Sequence, residues 1–348
     1  MLKCIVFFVF FLYFFLSNPF NDGVIKLFLA LCLASVAFAQ VTLTGAGATM
    51  PEQLVQRWMA DFSSDRSVKM SYDAIGSGRG IAAFLAGDVD FAISEVFLSD
   101  EQMADMAVAH IPLAVGAVAV TYRLPNNVPI RLTGKVLSDI YAGRITNWQD
   151  DAIALLNPRV SLPDLPIQVL FRRDDSGIAN IFRLFLSTHV PSWASRSSWP
   201  VGRGVIGNKG MSDAVYRTMG SIGFVALNHA IQNRLSIMPI QNRQGVYVKP
   251  DAHVLSMSAH IDVPDDLRMM VVNSAARYAY PIAGLSWMIV REDMVDQSKK
   301  EALMSWLDWI VTHGQNYHDP YHMGPLPRRL KQRVIARVQS LHDDASTR

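Results

Sequence analysis

The sequence predicts an α/β protein with a mainly parallel sheet. Strand-like apolar runs alternate along most of the chain with segments whose apolar residues recur at helical spacing. The 348 residues, 50% of them hydrophobic and 18% charged, are enough for one large domain or two medium ones. The sequence contains no internal repeat or low-complexity tract.

The first 39 residues have the composition of an export signal. Two apolar runs occur there, and the second follows Lys26 and ends in "AFA" before Gln40, an A-x-A cleavage pattern. We therefore predict a signal peptide in residues 1–39. The first run can be a membrane segment, the front of a long signal, or the result of a start codon assigned too early. We favour the early start for residues 1–23, because the segment from Val24 is already a complete signal.

Removal of this signal leaves a nearly neutral chain without thiols. The loss of Lys3, Lys26 and Asp22 changes the net charge from +2 to +1, which favours neither nucleic acid nor an anionic membrane as a partner. Cys4 and Cys32 both lie in the signal, so we expect no disulfide and no thiol chemistry after export. The bulky residue before Cys32 does not suit a lipid-attachment cysteine.

Residues 41–122 contain four predicted strands and two predicted helices. "VTLTGAG" is a strand before the helix "PEQLVQRWMADF", in which Leu54, Val55, Trp58, Met59 and Phe62 form one apolar stripe. "VKMSYDAIGSG" is a second strand and leads into the helix "RGIAAFLAG". "VDFAIS" is a third, short strand, and the apolar run "PLAVGAVAVTY" suits a buried fourth.

The alternation continues after residue 122. "IQVLF" is a strand that leads through a turn into the helix of "RRDDSGIANIFRLFL", and "GSIGFVAL" and "GLSWMIV" are further strands. The chain ends in two helices. The apolar stripe of the first contains Leu303, Trp306, Leu307 and Ile310, and the second is "LKQRVIARVQSL".

Three turns share one design, in which a strand ends, small residues follow and a helix begins. They are "GAGATMP", "GSGRG" and "DDSGIA", and each places a hydroxyl (Thr49, Ser77 or Ser176) near a helix N-terminus. Free backbone N–H groups and the helix dipole attract anions there, and we expect the small residues to let these groups approach a ligand. Arg172 lies beside the third turn and offers a planar fork of donors to an oxyanion. The alternative for each turn is an ordinary serine or threonine cap.

Other functional motifs are incomplete or missing. "GAGATM" has Met50 where a dinucleotide-binding fingerprint needs its third glycine, and the sequence has no P-loop and no hydrolase elbow. His313, His318 and His322 lack the spacing of a zinc motif, and we interpret them as ordinary polar residues. We therefore expect no metal and no cofactor.

The motifs together resemble the periplasmic phosphate-binding proteins, the substrate-binding subunits of phosphate ABC transporters. The resemblance is carried in order by "TLTGAGATMP", "YDAIGSGRGIAAFLAGDVDFAISEVFLSDEQM", "GKVLSDIYAGRITNWQDDAIALLNP", "FRRDDSGIANIF", "WPVGRGVIGNKG" and "GSIGFVAL", and it extends from Val41 to about Leu341. It implies a type II periplasmic binding protein fold, with two lobes that each have a central mixed sheet flanked by helices, joined by hinge strands. The implied lobes are residues 40–124 with 280–348, and residues 125–279.

The resemblance also implies the contacts of a phosphate ion between the lobes. Arg172 would make the charged contact, and Asp174 would orient Arg172 through an ion pair. Hydroxyl or backbone N–H donors would come from Thr49, Met50, Ser77, Ser176, Gly177 and Ile178.

Two positions depart from the family's pattern. Glu95 stands where the family has Asp, a carboxylate that accepts the proton of hydrogen phosphate and repels fully ionised sulfate. Glu keeps this chemistry but moves the carboxylate by up to roughly 1.5 Å. Ile178 stands where the family has Thr, and its lack of a hydroxyl removes a hydrogen bond of about 1 kcal/mol. We expect phosphate binding to be retained, with altered affinity or selectivity.

The function implied by the resemblance is ligand capture, not catalysis. The protein would be a soluble periplasmic monomer that binds inorganic phosphate and delivers it to the permease subunits of a phosphate ABC transporter, with no nucleic acid partner. Alternatives are a binding protein for another tetrahedral oxyanion such as arsenate or sulfate, a surface adhesin, and an exported phosphate-ester hydrolase. A hydrolase would need a base beside its nucleophile, and Ser176 has no histidine nearby in the sequence.

Overall fold

The computed structural model describes residues 40–64 and 66–346, with side chains as far as residue 342. The predicted signal peptide, the predicted early start codon and both cysteines lie outside the described residues. Within the described ranges, no helix is both long enough and apolar enough to cross a membrane.

The described residues contain eleven strands. They are β1 (Val41–Gly47), β2 (Val68–Asp73), β3 (Phe91–Ser94), β4 (Val108–Tyr122), β5 (Gln168–Arg172), β6 (Arg203–Val205), β7 (Ser221–Ala226), β8 (Ser236–Ile237), β9 (Ile240–Gln241), β10 (Tyr247–Val248) and β11 (Ala283–Arg291).

The same part of the chain contains ten α-helices. They are α1 (Glu52–Ser63), α2 (Ser77–Ala86), α3 (Gly134–Tyr141), α4 (Asp151–Ala154), α5 (Gly177–Ser187), α6 (Gly207–Arg217), α7 (Leu227–Gln232), α8 (Ala252–Ser258), α9 (Gln297–Thr312) and α10 (Arg328–Ser346). Short 3₁₀ turns occur at Pro125–Asn127, Pro191–Trp193, Gly314–Asn316 and Asp319–Tyr321.

The main sheet is mixed, with the strand order β2-β1-β3-β11-β4-β7-β5-β6 and β8 paired to β4. The β1 strand pairs in parallel with β2 and β3, and β5 pairs in parallel with β6 and β7. Every ladder that contains β4 or β11 is antiparallel. The prediction of a mainly parallel sheet is therefore wrong for the centre of the sheet, whereas the implied mixed sheet is confirmed.

The long β4 strand connects the two groups of parallel strands. Its first part, up to Ala117, pairs with β11, and its last part, from Val118, pairs with β7. All of its residues except Val108 are buried. One continuous buried strand thus belongs both to the half that contains β1–β3 and to the half that contains β5–β7.

The predicted apolar stripes form the contacts between helices and sheet. In α1, Leu54, Val55, Trp58 and Phe62 are buried, and in α9 the four predicted stripe residues are buried as well. The indole of Trp58 donates to the Gly314 carbonyl at 2.9 Å, so this large side chain is buried without an unpaired N–H group.

Candidate anion-binding site

The predicted site residues follow the carboxyl ends of parallel strands. Thr49 follows β1, Ser77 follows β2, Glu95 follows β3, and Arg172 is the last residue of β5. Ligands of open α/β sheets bind outside these strand ends, because the loops there face a common crevice. The sheet topology alone therefore places four of the predicted residues at strand ends of this kind.

The glycines of the first turn are required by the packing of the protein on itself. Gly47 has a φ of +143°, and a Cβ there would lie 1.9 Å from the Ile93 carbonyl oxygen. A Cβ on Gly80 of α2 would lie 2.3 Å from the Cα of Gly47. The small residues thus let α2 pack directly against the end of β1. This is a different reason from the approach to a ligand that the sequence predicts.

The three hydroxyl side chains do not cap their helices. The N-cap positions of α1, α2 and α5 are Pro51, Gly76 and Ser176, and none of them makes a side-chain capping hydrogen bond. The simple cap interpretation is therefore wrong for all three turns. The N–H groups of a first helical turn have no intrahelical acceptor, so these helix starts can donate to an anion.

Arg172 is buried and held on two sides. It is 3% exposed, and its Nε donates to Asp174 Oδ1 at 2.7 Å while Nη2 donates to Oδ2 at 2.5 Å. Nη1 donates to Asn208 Oδ1 at 3.4 Å. A guanidinium has five N–H groups, so one on each terminal nitrogen has no acceptor among the described residues. Two such N–H groups suit a bidentate contact with an oxyanion.

The ion pair keeps Asp174 charged. Burial by itself raises the pKa of Asp174, but hydrogen bonds from Arg172, the Arg172 charge and the Gly207 N–H outweigh burial and lower it. Asp174 therefore fixes the guanidinium in one orientation at neutral pH.

Glu95 is a buried carboxyl group with one oxygen unpaired. It is 2% exposed, and its Oε2 accepts a hydrogen bond from the Ser77 hydroxyl at 2.6 Å. Its Oε1 is buried and has no hydrogen-bond partner among the described residues. Burial raises the pKa of Glu95 to about 7, although the Ser77 hydrogen bond and the Arg172 charge act in the opposite direction. An unpaired buried carboxylate oxygen is costly, which points to a partner supplied by a ligand.

The start of α5 lies against this carboxyl group. A Cβ on Gly177 would be 2.5 Å from Glu95 Oε2 and 2.6 Å from Ser77 Oγ, so only glycine fits. A Cβ on Gly78 would likewise meet the Asp175 carboxylate. The predicted site residues Ser77, Glu95 and Gly177 therefore lie close together in the structure, although they come from segments far apart in the sequence.

The remaining predicted residues lie beside this group. Met50 is buried, and its side chain lies against Gly116 of β4, so the side chain belongs to the core. Ile178 is also buried, in the first turn of α5. For both residues the backbone N–H is the group that a ligand could use, and their contacts with an anion stay predictions.

Two asparagines that the sequence did not single out connect the segments. Asn208 is 3% exposed and donates through Nδ2 to Thr49 Oγ1 at 2.9 Å, and its Oδ1 accepts from the Ala226 N–H at 3.0 Å. Asn228 donates to the Met50 carbonyl at 3.3 Å. Asn208 lies in the quoted motif "WPVGRGVIGNKG", where a glycine again precedes a helix, and this was the available signal.

The histidines do not form a metal site. His318 is 2% exposed and lies edge-on to Trp58, and burial lowers its pKa to about 4. The interpretation of His318 as an ordinary polar residue is therefore wrong, because it is a neutral core residue. No group of three or more His, Cys, Asp or Glu is placed to hold a metal ion within residues 40–64 and 66–346.

Comparison with known proteins shows the family. A model of the PBP superfamily domain matches residues 34–313. The phosphate-binding protein PstS of Xylella fastidiosa (strain 9a5c) is 33% identical over 307 residues, which cover 85% of this chain and 84% of that protein. The chain belongs to the PstS family.

Other PstS relatives and solved structures agree with this placement. The phosphate-binding protein PstS of Haemophilus influenzae is 28% identical and covers 87% of this chain and 94% of its own. A high affinity periplasmic phosphate-binding protein (PfluDING), solved with phosphate, has a TM-score of 0.69 at 21% identity over 85% of this chain and 93% of that one. A putative phosphate ABC transporter substrate-binding protein from Clostridium perfringens has a TM-score of 0.62 at 19% identity over 82% and 100%. These likenesses confirm the type II periplasmic binding protein fold that the PstS resemblance implies.

Proposed function

We propose that this protein binds inorganic phosphate at the site formed by Arg172, Glu95 and the starts of α1, α2 and α5. The observation that carries the proposal is the chemistry of this one buried site. It combines a guanidinium with two available N–H groups, helix N-termini, and a carboxyl oxygen without a partner among the described residues. A tetrahedral anion that still carries a proton satisfies all three features at once.

The donors match the oxygens of phosphate. Arg172 supplies the positive charge, and neutral donors are the first-turn N–H groups of Ser77 in α2 and Ile178 in α5, together with the N–H of Met50 just before the N-cap of α1. Asn208 donates to Thr49 Oγ1, so the hydroxyl proton of Thr49 is available for an anion oxygen. These N–H and hydroxyl dipoles would replace the water molecules that hydrate the anion. A separate positive charge for each negative charge of the anion is then not needed.

Glu95 accounts for selectivity between phosphate and sulfate when it is ionised. Its Oε1 accepts the proton of hydrogen phosphate, whereas fully ionised sulfate would place an acceptor against an acceptor. The names of the PstS relatives and the phosphate bound in the matched structures support phosphate as the ligand.

Delivery to an ABC permease is the second part of the proposal. The protein would be exported to the periplasm as a soluble monomer, close its lobes (residues 40–124 with 280–348, and residues 125–279) on phosphate by a hinge motion, and dock on the permease without catalysing a reaction. The similarity to the Clostridium perfringens protein, whose name assigns it to a phosphate ABC transporter, supports the transporter role. Sequencing of the protein released by osmotic shock tests export, and we expect its N-terminus to be Gln40.

Calorimetric titration of the exported protein with phosphate, arsenate and sulfate at about pH 8 tests the binding proposal. We expect phosphate to bind with a Kd of about 1 μM or lower, and sulfate to bind at least about tenfold more weakly. Failure of phosphate to bind, with a folded protein by circular dichroism, would contradict the proposed function. Equal binding of sulfate and phosphate at this pH would remove Glu95 from its role.

A further inference from the structure

The Ser77–Glu95 pair fixes which carboxyl oxygen meets the ligand. The Ser77 hydroxyl donates to Oε2 at 2.6 Å, and a Cβ on Gly177 would lie 2.5 Å from the same oxygen. The Glu95 N–H contacts Ser77 Oγ at 3.4 Å, which further ties the two residues together. Oε2 is therefore occupied, and Oε1 is the buried oxygen that lacks a partner among the described residues.

One hydrogen bond between Oε1 and a ligand oxygen needs one proton, and two sources can supply it. Hydrogen phosphate brings the proton itself, and Oε1 of the carboxylate accepts it. If Glu95 has first taken a proton from solvent, Oε1 carries it and donates to a ligand that has none. Both complexes have one proton between Oε1 and the anion, and Ser77 donates to Oε2 in both.

We propose that this site also binds fully ionised tetrahedral oxyanions such as sulfate, together with one solvent proton carried on Oε1 of Glu95. The inference rests on the proposed function, because it uses the same donors for the other three oxygens of the anion. Glu95 is then a specificity-determining residue, because its protonation state decides whether Oε1 accepts a proton from the anion or donates one to it.

The surroundings of Glu95 indicate that this protonation occurs in the neutral pH range. Burial raises the pKa of Glu95 to about 7. The charged and titratable groups around the pair are Arg172 with its partner Asp174, Tyr72, and Asp175, whose carboxylate meets Gly78. Arg172 favours the ionised form of Glu95, and burial outweighs it. The nearby Tyr72 stays neutral, because burial and the Glu95 charge raise its pKa well above the usual value.

The test is a calorimetric titration with sulfate at about pH 8 and at about pH 5.5, at constant ionic strength. A carboxyl group with a pKa of about 7 is roughly a tenth protonated at the higher pH and almost fully protonated at the lower one. We therefore expect sulfate affinity to rise about tenfold. Titration in buffers of different ionisation enthalpy measures proton uptake, which should be about 0.9 protons per sulfate at the higher pH.

Two variants distinguish an effect of Glu95 protonation on sulfate binding from a general structural effect of substitution at the site. Glu95→Gln presents a permanent amide donor of the same size, so its sulfate affinity should be high and the same at both pH values. Ser77→Ala removes a hydrogen bond that lowers the pKa of Glu95, so the midpoint of its sulfate profile should move to higher pH.

The outcomes distinguish this inference from the proposed function. A phosphate titration at about pH 8 on the same preparation is the reference. If phosphate binds but sulfate affinity does not change with pH, or sulfate takes up no proton, the inference is wrong and phosphate binding stands. A Glu95→Gln variant that keeps the full pH dependence would also overturn it. If neither anion binds, the proposed function fails together with the inference.

Discussion

Two groups of side-chain contacts lie at the candidate site, and they differ in whether all of their polar atoms have hydrogen-bond partners. The carboxyl wall (Ser77, Glu95 and Gly177) leaves the buried Glu95 Oε1 without a partner among the described residues. The amide strip, which runs from Asn208 through Asn228 to Gln232, is paired at each point with Thr49, the Met50 carbonyl and Gln53, respectively.

We infer from this difference which surface would meet a ligand. A neutral amide that has found a protein partner gains about 1 kcal/mol and holds two segments together whether or not an anion is bound. An unpaired buried carboxyl oxygen costs free energy until a ligand supplies a proton. Under the proposed function, the amide strip would hold the site closed, and the carboxyl wall with Arg172 would recognise the anion. Substitutions on the two surfaces should therefore differ in how much they weaken phosphate binding.

Replacement of Arg172 by Ala should have the largest effect. The anion would lose the buried guanidinium, and removal of one partner of a buried charge pair costs about 3–5 kcal/mol, or roughly 10²- to 4 × 10³-fold in affinity. Calorimetric titration with phosphate measures the loss. Arg173→Ala is a matched control, because Arg173 is the exposed neighbour, and it should change affinity by less than about threefold. A loss of affinity of less than about tenfold in Arg172→Ala would contradict the site.

Replacement of Asn208 by Ala should weaken phosphate binding by about 10- to 30-fold. The variant loses the hydrogen bond to Thr49 and the acceptor that orients Arg172 Nη1, together about 1.5–2 kcal/mol. Stopped-flow fluorescence should assign most of the loss to faster phosphate release.

The matched variant for this prediction is Asn228→Ala. It breaks the contact with the Met50 carbonyl but does not touch Arg172, so it should cost less than Asn208→Ala. If the two variants lose affinity equally, Asn208 acts only in closure and does not orient the guanidinium.

Replacement of Ile178 by Thr should strengthen phosphate binding by about fivefold. The new hydroxyl restores a donor at the start of α5 and contributes about 1 kcal/mol. Ile178 is buried, so the loss of its apolar surface should lower the free energy of unfolding by about 1 kcal/mol, measured in urea. Ile178→Val has the shape of Thr without the hydroxyl, and it should share the loss of stability but not the gain in affinity. An equal gain in both variants would show that the hydroxyl is not the cause.

Replacement of Gln232 by Ala should have the smallest effect, a change of less than about twofold in phosphate affinity. Its contact with Gln53 is exposed, and water replaces an exposed amide partner at little cost. Calorimetry at the same pH measures it. A loss as large as that of Asn208→Ala would mean that the exposed end of the amide strip controls closure.

Local patterns predicted the elements well, because each depends on its own residues. The alternation in "VTLTGAG" corresponds to β1 (Val41–Gly47), and the apolar stripe of α9 is buried as its spacing indicates. The antiparallel centre of the sheet could not be predicted this way. It depends on the pairing of β11 with β4, and Arg291 faces Val108 across a long stretch of sequence.

The sequence predicted the turns of the candidate site better than the side-chain contacts within it. The three turns indicated the helix starts correctly, but not that Thr49 and Ser77 would pair with Asn208 and Glu95 instead of capping. Asn208 is a single polar residue at the start of α6, which no periodic pattern marks. The pKa of Glu95 depends on burial by segments far away in the sequence.

A crystal structure of the protein grown with inorganic phosphate tests most directly whether the buried site holds the anion. We expect one phosphate within hydrogen-bonding distance of the two available N–H groups of Arg172, the Thr49 hydroxyl and Glu95 Oε1, with Asn208 still bound to Thr49. An empty site in those crystals, or a Glu95 carboxyl group turned towards solvent, would contradict the account.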